Sequence, residues 1–410
     1  MAVLLLGTFD TKGGEYAHVH DLLTAAGQEV VLLDAGVMGP ATLHADLGPE
    51  AVAAAAGASL EALRNAGERG AALRTMGEGA ARLAGDLHER GRLSGVLALG
   101  GSGGSSIAAA VMRVLPVGLP KLLVSTMAGG DVSAYVGQSD VTLMYSVVDV
   151  AGINSISRQI LGNAAAAIAG MAAAYDARRA APPRGGERPL VAATMFGVTT
   201  PAVDAARARL EELGYEVIVF HATGSGGRAM EGLVASGYFA GVLDLTTTEL
   251  ADELVGGVLS AGPDRLTAAG AAGVPQVVSL GAVDMVNFGP VDTVPERFME
   301  RRLLVHNPTV TLMRTTPAET AELGRLIGAK LAAATGPVAL FVPRGGVSAV
   351  DVEGGPFWDP AADAACFDAV LRAVAGTDVQ VVESDDDINT ARFAVAAADR
   401  LHELIQKGAA

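Results

Sequence analysis

The chain has 410 residues, of which 50% are hydrophobic and 4% aromatic, with 52 glycines and a formal net charge of -16. This length suits two domains, and the composition is that of a globular protein rather than a disordered or fibrous one. The negative charge, with no cluster of Lys and Arg to offset it, argues against a nucleic-acid partner.

Cys366 is the only cysteine, which excludes an intramolecular disulfide and a cysteine-rich metal site. The amino terminus has no basic leader, and its apolar run ends at Gly7, too soon for a signal-peptide core. We therefore expect a cytoplasmic protein.

Short apolar runs alternate with amphipathic segments along the chain, which predicts an α/β fold with doubly wound, mostly parallel sheets. In the first half the predicted strands are 3–7, 29–34, 95–99, 121–125 and 141–146, and the predicted helices are 15–26, 50–65, 70–90, 105–115 and 153–175. The apolar run from Ala164 to Tyr175 is shorter than the roughly 20 residues that span a bilayer. We expect it to be a buried or dimer-facing helix and expect no membrane partner.

The segment DARRAAPPRGGERP, which begins at Asp176, has the composition of an exposed connector. We predict a first domain at 1–178, a linker at 179–189 and a second domain at 190–410. The predicted strands of the second domain are 190–196, 216–221, 240–245, 275–280, 338–342 and 379–383, and a closing helix is predicted at 387–406. Both halves begin with a strand, a glycine, a Thr-rich loop and an amphipathic helix, which predicts two related domains.

The string LALGGSGGSS joins a predicted strand to a helix and contains Gly101, Ser102, Gly103, Gly104 and Ser105. Ligands bind at the carboxyl ends of strands in open α/β sheets, where helix amino termini and free amides converge. Without Cβ atoms, successive amides can hold an anion. The string matches neither the Walker A nor the G-x-G-x-x-G pattern. It is therefore either a phosphate cradle or a tight turn.

The string GTFDTK follows the first predicted strand and strengthens the anion interpretation. Lys12 can reach a phosphate as a point charge, and Thr11 can donate its hydroxyl. Asp10 either holds Mg²⁺ or caps the helix. Asp34, at the end of the second strand, either contacts a ribose hydroxyl or forms a turn.

The second domain repeats the pattern of a strand followed by glycines in HATGSGGRAME, DLTTTEL and VPRGGVSAVD. The candidate ligand contacts there are His221, Gly224, Arg228, Asp244 and Arg344. They predict a second small-molecule pocket that faces the first across a cleft between the domains. For His221, a structural role at the strand end is the alternative.

No established catalytic constellation is present. The sequence lacks G-x-S-x-G and H-E-x-x-H, and His18 and His20 stand two apart, so on a helix they point in different directions. Asp131, Asp149, Asn154 and Arg158 either line the site or fix the long helix that follows.

The strings GTFDTK, LGGSGGSS, LPKLLVSTMAGGDV, YSVVDVAGINSISR, HATGSGGRAME and PRGGVSAVD resemble an uncharacterised bacterial and fungal family. This family is related to the amino-terminal, ATP-binding region of the tomato mosaic virus resistance protein. The resemblance implies two Rossmann-like domains, an ATP site with Mg²⁺ in the first, and a homodimer. The implied nucleotide contacts are Asp10, Thr11 and Lys12, Gly101 to Gly104, and Arg69 in GERG. Ser105 replaces a threonine of many members and keeps the hydroxyl.

We therefore expect a cytoplasmic, dimeric ATP-binding protein whose second domain binds another small molecule. An ATP-dependent enzyme is one form of this hypothesis. One alternative is a non-catalytic nucleotide sensor or interaction module. Another is a small-molecule enzyme whose active site lies around His221 and Arg228.

Overall fold

The computed structural model describes residues 1–181, 186 and 188–408. Its chain divides into two compact units, Met1–Arg184 and Gly185–Ala410. The predicted linker at 179–189 falls partly outside the described residues. Each unit has a parallel sheet with helices on both faces, which confirms the predicted α/β class.

The first unit contains a five-stranded parallel sheet in the order β2-β1-β3-β4-β5. Its strands are β1 (Ala2–Gly7), β2 (Glu29–Asp34), β3 (Leu93–Gly100), β4 (Lys121–Ser125) and β5 (Thr142–Tyr145). Its helices are α1 (Phe9–Ala25), α2 (Pro49–Ala55), α3 (Leu60–Ala66), α4 (Arg69–Glu89), α5 (Ser102–Val114), α6 (Ser133–Val136) and α7 (Ser155–Ala180). All five predicted strands of this half are present, within two residues of their predicted bounds.

Strand β1 shows why this sheet has helices on both faces. Successive side chains of a strand point to opposite faces. Leu4 and Leu6 pack into a core formed with α2, α4 and α5, whereas Val3 and Leu5 pack into a core formed with α1 and α7. Every residue of β1 is buried, as expected of a strand that reads as a continuous apolar run.

The second unit contains a six-stranded parallel sheet in the order β14-β13-β9-β8-β6-β7 and a separate three-stranded sheet in the order β10-β12-β11. Its strands are β6 (Leu190–Met195), β7 (Glu216–His221), β8 (Gly241–Thr246), β9 (Gln276–Gly281), β10 (Met285–Phe288), β11 (Leu303–Asn307), β12 (Val310–Arg314), β13 (Val338–Pro343) and β14 (Gln380–Ser384). Its helices are α8 (Thr200–Glu212), α9 (Ser225–Ala235), α10 (Thr248–Val255), α11 (Ala268–Ala271), α12 (Pro317–Ala332), α13 (Pro360–Val374) and α14 (Ala391–Gly408). The six predicted strands form the large sheet, and the antiparallel sheet was not predicted.

The predicted helix at 50–65 is two helices, α2 and α3. Gly57 adopts a left-handed backbone conformation with φ of 77°, which ends the first helical segment. The side chain of Ser59 then accepts a hydrogen bond from the amide of Ala62 and caps the second. The helix prediction was therefore wrong at its centre, and the break places α3 as a separate element beside the end of β2.

Helix α7 is the one helix within the described residues that is long and apolar enough to cross a membrane. Its side chains at Leu161, Ala165 and Ile168 are buried in the core beneath the sheet. It is thus a core helix of the first unit, and it continues five residues beyond its predicted end.

The core of the second unit contains a buried group of charged side chains around Arg314. Its guanidinium lies 2.6 Å from a carboxylate oxygen of Asp363 and 3.6 Å from one of Asp351. Ser348 donates a hydrogen bond of 2.9 Å to Asp284. Burial and the nearby charge of Asp284 raise the pKa of Asp351 from its ordinary value of 3.8 to about 9, although Arg314 acts in the opposite direction.

The raised pKa of Asp351 predicts that the second unit loses stability as pH rises. Between the ordinary and the raised pKa the folded protein holds a proton that the unfolded chain has released. The free energy of unfolding therefore falls with pH, by at most about 1.4 kcal/mol per pH unit for this one proton. Asp351→Asn should flatten this fall, as measured by denaturant unfolding between about pH 5 and about pH 9.

The exposed Asp385 provides the control for this prediction, because Asp385→Asn should leave the slope of the wild type unchanged. Equal slopes for Asp351→Asn and the wild type would contradict the prediction.

Candidate functional site

The order of the strands in the first unit reverses between β1 and β3. From β1 the chain passes to β2 on one side, and then returns to β3 on the other. The two crossover connections consequently lie on opposite faces of the sheet and leave a crevice at the carboxyl ends of β1 and β3. Helices α1 and α5 begin there, so their amino termini both face this crevice.

A pocket of about 450 Å³ occupies the crevice, a volume within the usual range for small-molecule sites. We call it the β1–β3 pocket. Its lining residues come from the starts of α1, α4 and α5, from α3, from the segment after β2 and from the loop after β5. They are Thr8, Asp10, Thr11, Lys12, Ala35, Val37, Met38, Leu63, Arg64, Gly67, Glu68, Arg69, Ala72, Leu73, Gly101, Ser102, Gly103, Gly104 and Asp149.

The first turn of α5 presents bare backbone to this pocket. Gly101 precedes the helix, and no side chain caps the first turn. The amides of Ser102, Gly103 and Gly104 belong to the first turn of the helix, which has no intrahelical acceptors for them. A Cβ atom on Gly104 would lie 3.2 Å from the carbonyl oxygen of Leu99, so the turn packs tightly on the strand beneath it. The predicted glycine loop is therefore an open helix amino terminus.

Lys12 lies in the pocket where α1 is interrupted. Its backbone departs from helical geometry, with φ of -132° and ψ of 22°. The side chain is half-buried, and Nζ donates a hydrogen bond to the carbonyl oxygen of Val150, in the loop after β5. Thr11 is exposed beside it, with its hydroxyl 3.0 Å from that of Thr8.

Asp10 lies on the same side of the pocket and is held by the segment after β2. One carboxylate oxygen accepts a 2.7 Å hydrogen bond from the amide of Met38. The other, Oδ1, is buried and has no hydrogen-bond partner among the described residues. A Cβ atom on Gly36 would lie 2.7 Å from Cγ of Asp10, so glycine is required for this approach.

Asp34 does not line the pocket, although a ribose contact was one of the predicted roles. It is 1% exposed, and its Oδ1 accepts hydrogen bonds of 2.8 Å from the amides of Phe9 and Gly36. Burial raises the pKa of Asp34, while these two amides act in the opposite direction. The carboxylate fixes the loops after β1 and β2, which is the turn-forming alternative.

Two arginines complete the cationic part of the lining. Arg69, at the start of α4, is exposed, and its Nη2 would be 3.8 Å from a Cβ atom on Gly103. Arg64 was not predicted from the sequence. It donates hydrogen bonds of 2.7 Å to the carbonyl oxygen of Val37 and 3.2 Å to that of Gly39. The spacing of Arg64 and Arg69 around the helix break at Gly67 is the signal that could have found it.

Charge and polarity differ between the parts of this pocket. The lining has three cationic side chains, Lys12, Arg64 and Arg69, and three acidic ones. The local charge is therefore balanced, although the whole chain has a net charge of -16. The apolar part of the lining is formed by Ala35, Val37, Met38, Leu63, Ala72 and Leu73. Met38 is 75% exposed at its rim. The pocket thus combines cationic side chains and free helix amides with an apolar surface.

Ser105 does not belong to the pocket lining, contrary to the predicted cofactor contact. It is fully buried, and its hydroxyl lies 2.7 Å from that of Ser125 at the end of β4. One residue after Gly104, the helix has turned the side chain toward the sheet. Its role here is to attach α5 to β4.

The sequence left two roles open for Asp131, Asp149, Asn154 and Arg158, and the structure gives these residues different roles. Asp149 lines the pocket. Asn154 caps α7 together with Ser157 in a reciprocal capping box. Asp131 is exposed and accepts a hydrogen bond of 2.9 Å from the amide of Ser133.

The ligand candidates of the second unit each contact other residues of that unit. The amide of Gly224 donates to Glu249 at 2.7 Å, Arg228 donates to the carbonyl oxygen of Ser260 at 2.7 Å, and Arg344 donates to Glu383 at 2.6 Å. Asp244 is buried and accepts two hydrogen bonds, of 2.5 and 2.6 Å, from Arg265. His221 is exposed, with its ring 5.5 Å from that of Phe196.

Among the described residues, no group of three or more His, Cys, Asp or Glu side chains is placed to hold a metal ion. A cation in the β1–β3 pocket would therefore need oxygen ligands from a bound molecule in addition to Asp10.

Models of the uncharacterised protein family UPF0261 match nearly the whole chain, with the N-terminal domain at residues 1–177 and the C-terminal domain at 188–405. A UPF0261 protein of Clostridium tetani is 50% identical over 405 residues, which are 99% of each chain. A UPF0261 protein of Rhizobium meliloti is 48% identical over 98% of each chain. The ToMV resistance protein Tm-1 of Solanum lycopersicum is 43% identical over 83% of this chain and 45% of its own length.

Among solved structures, a Streptomyces glycosyltransferase in complex with thymidine diphosphate covers 99% of this chain and 96% of its own. The identity is 15% and the TM-score 0.18, a similarity too low to indicate a shared fold or ligand.

The placement of Ser105 predicts a structural rather than a ligand-binding effect of its substitution. Ser105→Ala removes the partner of the Ser125 hydroxyl inside the core, so the free energy of unfolding should fall by about 1 kcal/mol. Ser106→Ala is the matched control, because Ser106 is exposed and its hydroxyl bonds to the carbonyl oxygen of Ser102 within its own helix. An equal effect of the two substitutions in denaturant unfolding would contradict this placement.

Proposed function

This chain belongs to the UPF0261 family, and we propose that its first unit binds ATP in the β1–β3 pocket. The observation that carries the proposal is the uncapped first turn of α5, whose free amides face the pocket at the carboxyl ends of β1 and β3. Helix amino termini of this kind bind phosphate through their amides and their dipole. The sequence resemblance to an ATP-binding region also supports this ligand.

In the proposed complex the phosphates lie against the turn at 101–104, between Lys12 and Arg69. Lys12 would exchange its hydrogen bond to the carbonyl oxygen of Val150 for a phosphate oxygen, which is a stronger, charge-assisted acceptor. Arg69 is exposed beside Gly103 and can form paired hydrogen bonds to phosphate. The apolar part of the lining would receive the base, which would bury part of the exposed surface of Met38.

We propose that ATP binds together with Mg²⁺, and that Asp10 is the protein ligand. The buried Oδ1 of Asp10 has no partner among the described residues, so it is available to a cation. Magnesium sites of this type use one or two carboxylates and complete their coordination with phosphate oxygens and water. The bound cation would neutralise part of the negative charge of the phosphates. The hydrogen bond from the amide of Met38 to Oδ2 would hold the carboxylate in place.

Substitution of Lys12 tests the proposed phosphate site. Lys12→Ala should weaken ATP binding by about 1.5 to 3 kcal/mol, the contribution of hydrogen bonds to charged groups, which is roughly a ten- to hundredfold increase in Kd. Isothermal titration calorimetry with ATP measures this change.

Lys407→Ala, at an exposed position of the second unit, is the control and should bind ATP like the wild type. Absence of ATP binding by the wild type would refute the function, and unchanged affinity of Lys12→Ala would remove Lys12 from the site.

Substitution of Asp10 separates the cation from the nucleotide. With Mg²⁺ present, Asp10→Asn should weaken ATP binding by about tenfold, because one charged ligand of the cation is lost. In excess EDTA the same variant should bind ATP as tightly as the wild type or more tightly, because a negative charge near the phosphates has been removed.

Asp149→Asn serves as the matched control for Asp10→Asn, since Asp149 also lines the pocket. In EDTA it should bind ATP as tightly as the wild type or more tightly, and in Mg²⁺ it should show no tenfold loss of ATP affinity. If Asp10→Asn and Asp149→Asn behave alike in Mg²⁺, Asp10 is not the cation ligand.

A further inference from the structure

Strands β1 and β3 separate before β3 ends. Their pairing extends to Leu6 opposite Ala98. Beyond this point β1 leads into α1, whereas Leu99 and Gly100 continue β3 and pair only with β4. No residue of β1 is paired with Leu99 in this register, although Leu99 is 2% exposed. Buried amides and carbonyls without partners are costly, so another group must satisfy them.

The hydroxyl of Tyr16 fills this gap. It accepts a 2.8 Å hydrogen bond from the amide of Leu99, and it lies 2.8 Å from the carbonyl oxygen of Leu99 and 2.6 Å from that of Leu6. With a single proton it donates to one of the two carbonyls at a time. Tyr16 is fully buried, so no water competes for these bonds. The hydroxyl thus bridges the two strands where their own pairing has ended.

Gly7 makes room for this bridge. A Cβ atom at position 7 would lie 2.0 Å from the tyrosine ring and 2.4 Å from its hydroxyl. Any larger residue would displace the ring from the strand ends. The glycine that ends β1 and the tyrosine two turns into α1 are therefore a matched pair.

Leu99 connects the hydroxyl to the lining of the pocket. The same carbonyl oxygen that Tyr16 contacts would be 3.2 Å from a Cβ atom on Gly104. On the other strand, the residues after Leu6 lead directly to Thr8, Asp10 and Lys12. The distance between the loop at 8–12 and the turn at 101–104 is thus set at the point that Tyr16 bridges.

We propose that Tyr16 is the positioning residue of the β1–β3 pocket. Its hydroxyl fixes the spacing between the loop at 8–12 and the turn at 101–104 without touching the ligand. This inference rests on the proposed function only for its effect on affinity, because the effect on the backbone exists without a ligand.

Tyr16→Phe tests the proposal, since it keeps the ring and removes the hydroxyl. In the ligand-free protein, amide hydrogen exchange at Leu99 and at 102–104 should become faster relative to Leu97 in the middle of the same strand. The Kd for ATP should rise about tenfold. Val19→Ala is the matched control, because Val19 is buried on the same helix and bears no hydroxyl. It should lower stability without changing either the exchange ratio or the affinity.

Unchanged exchange at Leu99 in Tyr16→Phe would overturn the proposal, and so would a loss of affinity in Val19→Ala as large as that in Tyr16→Phe. If the wild type binds no ATP, the proposed function fails while the exchange ratio still decides the role of Tyr16. If Tyr16→Phe does not fold, exchange in the wild type decides. A Leu99 amide as protected as that of Leu97 supports the bridge, and exchange at the rate of exposed loops overturns it.

Discussion

The separation of β1 and β3 is the constraint on which the rest of the first unit depends. Because β2 and β3 lie on opposite sides of β1, the connections that leave β1 and β3 must diverge, and the backbone between them loses its strand partners. Polar backbone groups in that position need a side chain, water or a ligand. On the buried side the hydroxyl of Tyr16 provides the partner. On the open side the first turn of α5 keeps its amides free, and this is where an anion is favoured.

The carboxylates near this point show how an acidic chain could hold the proposed anion. Asp34 is buried and receives two backbone amides, so its charge is used to hold the loops together rather than directed into the pocket. Asp10 receives only one amide and lines the pocket, whereas Asp34 does not, although each keeps one buried oxygen without a partner among the described residues. The cationic side chains meanwhile come from separate elements, the start of α1, α3 and the start of α4. Their local balance with the acidic residues matters more to a bound phosphate than the net charge does, because exposed charges farther away are screened.

The sequence predicted those features that depend on local pattern. Buried parallel strands are continuous apolar runs, so β1 to β5 and the six-stranded sheet were predicted correctly. The strands β10 to β12 were missed because they form a separate antiparallel sheet, outside the alternation of strands and helices on which the prediction rested. Asp10, Thr11, Lys12 and the turn at 101–104 were predicted to share one sheet edge, and they do. Neighbouring positions such as Ser105 could not be separated from them, because the direction of a side chain at a helix start depends on the cap. Arg64 was missed because it lies in α3, which the sequence analysis merged with α2 into one helix.

The second unit repeats this strand order but fills the corresponding position with its own side chains. Its first three strands are also arranged second, first, third, and β6 and β8 pair only as far as Ala193 opposite Leu243. Beyond that point Thr194 donates a 2.7 Å hydrogen bond to Asp244 and accepts one of 3.0 Å from the amide of Thr246, and the fully buried Arg265 binds Asp244 with two nitrogens. The first unit uses one hydroxyl at this point and leaves the amides of the glycine turn without partners among the described residues. In the second unit the side chains of Thr194, Asp244 and Arg265 form the hydrogen bonds at the strand ends. The same topology thus creates the same deficit of backbone partners in both units, and the side chains available at that point decide whether it becomes a binding pocket or part of the core.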